Sequence, residues 1–97
     1  MATYVTLGNF TEQGLRNVKE SPKRAEAFRN LAKQLGCNVK EVLWTQGQYD
    51  FVTTFEAQDD ATASALILSI GKLGNVTGQT LRAYNAVEIK NVLEKVV

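Results

Sequence analysis

Two helix-patterned segments, each fenced by its own start and stop signals, divide this chain, and β-rich runs stand before, between and after them. Ser21-Pro22 opens the first segment, with Ser as cap and Pro at the first helical position. Apolar residues then fall at Ala25, Phe28, Leu31, Ala32 and Leu35, polar and basic residues cover the other positions, and Gly36 ends the helix. Asp59-Asp60 opens the second, where carboxylates favour the positive end of the helix dipole. Its apolar set is broad (Ala61, Ala65, Leu66, Ile67, Leu68, Ile70 and Leu73), and Gly71 and Gly74 mark its end. The β-rich runs are Ala2–Leu7, closed by Gly8-Asn9; Val39–Thr45 and Tyr49–Phe55, a hairpin about Gln46-Gly47-Gln48; and Val76–Tyr84. Thr11–Val18 fits one or two helical turns, with Thr11 as cap and Gly14 as the weak point. Val87–Val96 is an amphipathic tail helix through Ile89, Val92, Leu93 and Val96.

The order β-α-β-β-α-β plus a terminal helix predicts an α+β fold of the ferredoxin-like, split-βαβ kind, one domain over residues 1–97. Right-handed crossovers place both main helices on one face of a four-stranded antiparallel sheet, with the last strand at an edge beside the first. The second face then needs a cover. Strict alternation sets Val39 and Leu43 on one side and Val42 and Trp44 on the other, and Tyr49, Phe51 and Phe55 opposite Val52. Apolar groups thus fall on both faces, which is unfavourable for a face left to water. A second copy, sheet against sheet, is the least demanding cover, and the tail helix is its rival. A chain of 97 residues with one Cys has a thin core and no internal disulfide, so self-association is the natural source of further buried area.

The residues that are missing exclude several chemistries. There is no His, which removes the commonest general base, the commonest zinc ligand and every Ser-His or Cys-His pair. No metal site and no cofactor are expected. Eleven basic residues stand against ten acidic, far from a nucleic-acid footprint. An RNA-recognition reading would use Tyr4, Tyr49 and Phe51 as stacking aromatics, but Gln46 replaces the basic residue expected before the glycine and Asp50 sets a negative charge between the aromatics. The glycines of "SIGKLGN" follow a helix instead of leading into one, so they terminate it and cradle no phosphate. No apolar run nears the roughly 20 residues of a membrane span, and "MATYVTLGNF" lacks the basic and hydrophobic regions of a secretory signal. With a lone Cys, the expected location is cytoplasmic.

The run Gly47-Gln48-Tyr49-Asp50 continued by "FVTTFEAQDDATASALILSIGKLGNVTGQTLRAY", together with "GNFTEQGLRNVKESPKRAEAFRNLAKQLG", resembles the GYD-domain family of small bacterial proteins over residues 3 to about 85. The namesake G-x-Y-D motif is complete. The resemblance implies a dimeric α/β barrel of ferredoxin-like subunits and no settled enzymatic activity. More distantly, the same half-chain is similar to the effector-binding domain of leucine-responsive (Lrp/AsnC-type) regulators, in which the matching turn helps hold an amino acid between subunits. That resemblance implies a ligand site at Gly47, Gln48, Tyr49, Asp50, Gly74, Asn75 and Val76. With the first strand at Ala2, no helix-turn-helix is expected ahead of it, and a stand-alone sensor or binding module follows.

Each of these residues also has a purely structural account. Gly47 suits a positive φ, Asp50 suits bonding to turn amides, and Tyr49 suits a strand aromatic. Arg82 shares a side with Thr80 and Tyr84, near Tyr4 or Thr6. It would hold a carboxylate inside a barrel, or guard an edge strand against aggregation. Trp44 suits a pocket wall or an interface anchor. Lys23, Arg24, Arg29 and Lys33 read as a solvated helix face, and Arg16 and Lys19 join Lys23 and Arg24 in an anion patch if the loop and the helix start converge. Cys37 reads as structural. The expected function is a homo-oligomeric small-molecule-binding or assembly module, with no nucleic-acid or membrane partner. The alternative is a cofactor-independent enzyme moving protons through Asp50, Tyr49, Glu56 or Arg82.

Overall fold

The computed structural model describes residues 1–97. Its elements run β1 (Ala2–Phe10), α1 (Glu12–Arg16), a short 3-10 turn (Val18–Glu20), α2 (Ser21–Gln34), β2 (Asn38–Trp44), β3 (Phe51–Ala57), α3 (Asp60–Gly71), β4 (Val76–Ala83) and α4 (Ala86–Glu94). The four strands form one antiparallel sheet in the order β2-β3-β1-β4. This is the ferredoxin-like arrangement, with β4 at the edge beside β1.

Alternation along β1 and β3 decides which face is covered. Tyr4, Thr6, Thr53, Phe55 and Ala57 are buried, and they share one side through the pairs Tyr4↔Phe55 and Thr6↔Thr53. Phe28 and Ala32 from α2 and Ala63 and Leu66 from α3 join Tyr4, Cys37, Phe55 and Ala57 in a single core cluster, so both helices lie on that side. Phe55 is fully enclosed, stacked on Tyr4 at 5.4 Å and met edge-on by Phe28 at 6.4 Å. Only 13 of 97 residues are buried, the thin core expected of a chain this short.

Several boundaries differ from the sequence expectation for local reasons. β1 continues through Gly8-Asn9 to Phe10, because both neighbours pair with it there: Gly8 faces Phe51 and Gly78, and Phe10 faces Val76. Ser21 is the first helical residue of α2 and does not cap it. The 3-10 turn runs straight into the helix, and Ser21 Oγ donates back to the Val18 carbonyl at 2.6 Å. Thr11 and Asp59 do cap α1 and α3, accepting from Gly14 N and Thr62 N. Tyr49 and Asp50 precede β3, within a loop spanning 45–50.

A β-bulge between Val39 and Glu41 overturns the strict alternation in β2. Val39 faces the helices with Val42 and Trp44, opposite Phe55, Thr53 and Phe51, and of the apolar residues of β2 only Leu43 turns to the other side. The aromatics Trp44, Phe51 and Phe55 therefore all lie on the helix side. With Tyr4 buried there too, no aromatic platform is left for RNA on the open face. That face still carries a continuous aliphatic band. Leu43, Val52 and Leu7 are cross-strand neighbours, and Val5 sits beside Leu81. Leu43 and Leu81 are exposed, and no residue of α4 is buried.

Candidate functional site

The far end of β1, from Gly8 to Phe10, is clasped on both sides by the segments singled out in the sequence. On the β3 side, Asp50 N donates to the Gly8 carbonyl at 2.8 Å, and Asp50 Oδ2 accepts from Phe10 N at 2.9 Å. Within the loop, Thr45 N donates to the Asp50 carbonyl at 2.9 Å and Thr45 Oγ1 to the Tyr49 carbonyl at 2.6 Å. Gly47 carries φ of +105° with open space around it, so backbone conformation and not crowding is what asks for glycine. On the β4 side, Thr11 N donates to the Asn75 carbonyl at 3.0 Å and Thr11 Oγ1 to the Gly74 carbonyl at 2.6 Å, while Gln13 Nε2 reaches Asn75 Oδ1 at 3.0 Å. The structure thus brings Asp50 and the 74–76 segment to the same end of the sheet, on opposite flanks of one strand.

Arg82 does not join them. It pairs with Tyr4, six residues back along β1 from the Phe10↔Val76 pair, about 20 Å at 3.3–3.4 Å per residue. Its guanidinium lies over the Tyr84 ring at 4.5 Å and the Tyr4 ring at 5.7 Å, and it bonds Glu88 Oε2 at 3.3 Å. Tyr4 faces the helices, so Arg82 lies on the helix side as well and not over the open face where a barrel interior would form. The bond from Asn85 N, and then Arg82, hold the Glu88 carboxyl below the usual carboxylate range. Glu56 faces the open side opposite Thr3, bonded by Asn38 Nδ2 at 3.1 Å and close to Lys40 Nζ at 3.7 Å. Asp50, Glu56 and Arg82 therefore do not converge on one point.

The family model for the GYD domain matches residues 4–93. The chain belongs to the GYD-domain family. A Thermus thermophilus protein named "Glutamine synthetase and cystathionine beta-lyase binding protein" is 32% identical over 84 residues, covering 86% of this chain and 88% of that one. In this GYD domain, then, the namesake Asp50 is bound into the β1–β3 junction by backbone groups, and the motif shapes the end of the sheet.

What it shapes is a cavity of about 350 Å3 between the sheet and the two main helices. Phe10, Phe51 and Val76 from the clasped end line it, with Trp44 from β2 and Ile67 and Ile70 from α3. Two glycines let Phe51 and the neighbouring strand pack closely beside it. Gly8 and Gly78 face each other across β1 and β4 on the helix side. A Cβ on Gly8 would fall 2.0 Å from Phe51 Cζ, so the Phe51 ring lies across the strand where a side chain would stand. A Cβ on Gly78 would lie 2.6 Å from the Leu7 carbonyl oxygen. Beyond them come only small residues, Thr6 and Thr80, whose hydroxyls bond each other at 2.9 Å. The two strand glycines were the available sign of close approach, since an isolated glycine inside a strand marks such a place.

Proposed function

We infer that this GYD domain is a homo-oligomeric binding module that acts through protein–protein contact. The observation that carries this is the open sheet face: Leu43, Val52, Leu7, Val5 and Leu81 form one aliphatic band across all four strands, with no element of the same chain over it. At about 25 cal/mol for each Å2 of apolar surface removed from water, a matching face is favoured over solvent. The occupant proposed is a second copy, because the band is near the sheet centre and its rim is polar (Gln79, Glu41, Thr54), so two such faces are self-complementary. The name of the Thermus relative makes glutamine synthetase and cystathionine beta-lyase the first protein partners to try.

Sedimentation tests the first step. The wild-type chain sediments as a dimer or larger at micromolar concentration, and Leu7→Lys, which sets a charge at the centre of the band, yields a folded monomer. A monomeric wild type sinks the proposal. For the second step, purified glutamine synthetase and cystathionine beta-lyase from the same organism are mixed with the wild-type oligomer, and each mixture is sedimented. A faster boundary with either enzyme supports an enzyme partner, and independent migration with both refutes it.

A further inference from the structure

The cavity lies on the helix side of the sheet, away from the proposed protein contact, and its charge pattern selects a ligand class. Its walls are mostly apolar, in the size range of small-molecule sites. Among the residues lining it Arg24 is the one charged group, and no carboxylate faces it. Of the other members of the expected anion patch, Arg16 pairs with Glu12 and Lys23 with Glu20, and Lys19 does not line the cavity. Arg24 forms no ion pair. Its polar partner is the Gly14 carbonyl of α1, a long contact at 3.4 Å from Nη2. A half-buried guanidinium at the border of an apolar cavity is a receptor for a planar anion, which it binds through two parallel N–H donors.

We propose that this cavity binds an apolar monocarboxylate, with the carboxylate on Arg24 and the hydrocarbon body between Phe51, Trp44 and Ile70. The volume sets the size. A water molecule claims roughly 30 Å3 in the liquid, and at that share per heavy atom the cavity admits about twelve heavy atoms. Decanoate has that many. The proposal does not depend on the oligomer: a chain monomeric in sedimentation would still carry the cavity, and a ligand-free oligomer would still carry the sheet band.

Trp44 is the only tryptophan, stands half-exposed at the cavity wall and serves as the reporter. Decanoate, kept below its micelle concentration, is titrated into the full chain while Trp44 fluorescence is followed. A saturable change is expected, weaker by about tenfold or more for decanol and for Arg24→Gln, since a bond to a charged group is lost in each case. Arg24→Lys recovers part of the affinity. Ala25→Leu, which fills the space from α2, abolishes the response while circular dichroism stays unchanged. Absence of a saturable change in the wild type overturns the proposal, and so does equal affinity for decanoate and decanol or for wild type and Arg24→Gln. Were Arg24→Gln to lose its fold, the alcohol comparison on the wild type alone would still decide.

Discussion

Tyr4 links the strand at the centre of the sheet to the start of α3, and that link titrates. Its ring is buried against Phe55, and its hydroxyl donates to Asp60 Oδ1 at 2.5 Å. That hydrogen bond, with burial and the Asp60 charge behind it, raises the phenol to about 12 from an ordinary value of 10. Tyr4→Phe keeps the ring and its packing and removes only the donor. A hydrogen bond to a charged acceptor contributes about 1.5–3 kcal/mol where neither partner can turn to water. Asp60 is exposed and rehydrates in the variant, which brings the expected loss down to about 1 kcal/mol.

The pH dependence follows from the direction of the shift. The folded phenol has the higher pKa, so its contribution is complete below pH 10 and is lost as pH rises through 10 to 12. Urea unfolding of wild type and Tyr4→Phe is therefore expected to differ by about 1 kcal/mol at pH 8, with the difference shrinking above pH 10. Phenolate next to Asp60 reverses it at the alkaline limit. The comparison cancels contributions common to the two proteins. A Tyr49→Phe/Tyr84→Phe variant leaves Tyr4 as the single phenol, and its ultraviolet titration should run near pH 12. Equal stabilities at pH 8, a difference that persists unchanged past pH 11, or phenolate absorbance rising at pH 10 would refute the reasoning.

Two further substitutions probe the elements that frame the sheet. A Cβ at Gly14 would lie 2.0 Å from the Asn75 carbonyl oxygen, which is backbone held by Thr11, so Gly14→Ala forces α1 off β4. A loss of at least about 2 kcal/mol in denaturant unfolding is expected, and an unchanged midpoint would show that the approach is looser than drawn. Asn85 accepts from Glu88 N at 2.8 Å while Glu88 Oε1 accepts from Asn85 N at 3.2 Å, a full capping box on a nine-residue helix with nothing buried. Such a helix is marginal alone, so Asn85→Ala, at about 1 kcal/mol, melts α4 in circular dichroism and leaves the unfolding midpoint of the core in place. If α4 keeps its helical signal, something other than the cap holds it.

Order and type of the elements were legible because their signals are local. Thr11, Asp59 and Gly36 act within a few residues, and helical spacing at Ala25, Phe28 and Ala32 needs no knowledge of a partner. Facing was less legible. One bulge at Val39/Glu41 moves Val39 to the other side of β2, and nothing in "NVKEVLW" announces it. Gly14 illustrates the same gap: as a helix residue it reads as a weakness, and only the position of Asn75, 61 residues on, makes it a requirement.

The cavity was the least legible feature, because it is made of what side chains leave unfilled. One wall residue is Gly78, which meets Gly8, 70 residues away, only through the β1–β4 register, and the cavity's charge is one arginine among four basic residues of a helix that reads as solvated. Sequence spacing separates Arg24 from its helix neighbours by periodicity alone. What distinguishes it is its place: of the four, Arg24 alone lines the apolar cavity, with the Gly14 carbonyl as its polar contact. The G-x-Y-D motif takes its meaning from the same place. Asp50 spends its carboxylate on Phe10 N, and in doing so fixes the strand end where Phe10 and Phe51, 6.0 Å apart, form the cavity wall. On this geometry Asp50 holds the strand end in place and is not itself among the residues that line the cavity.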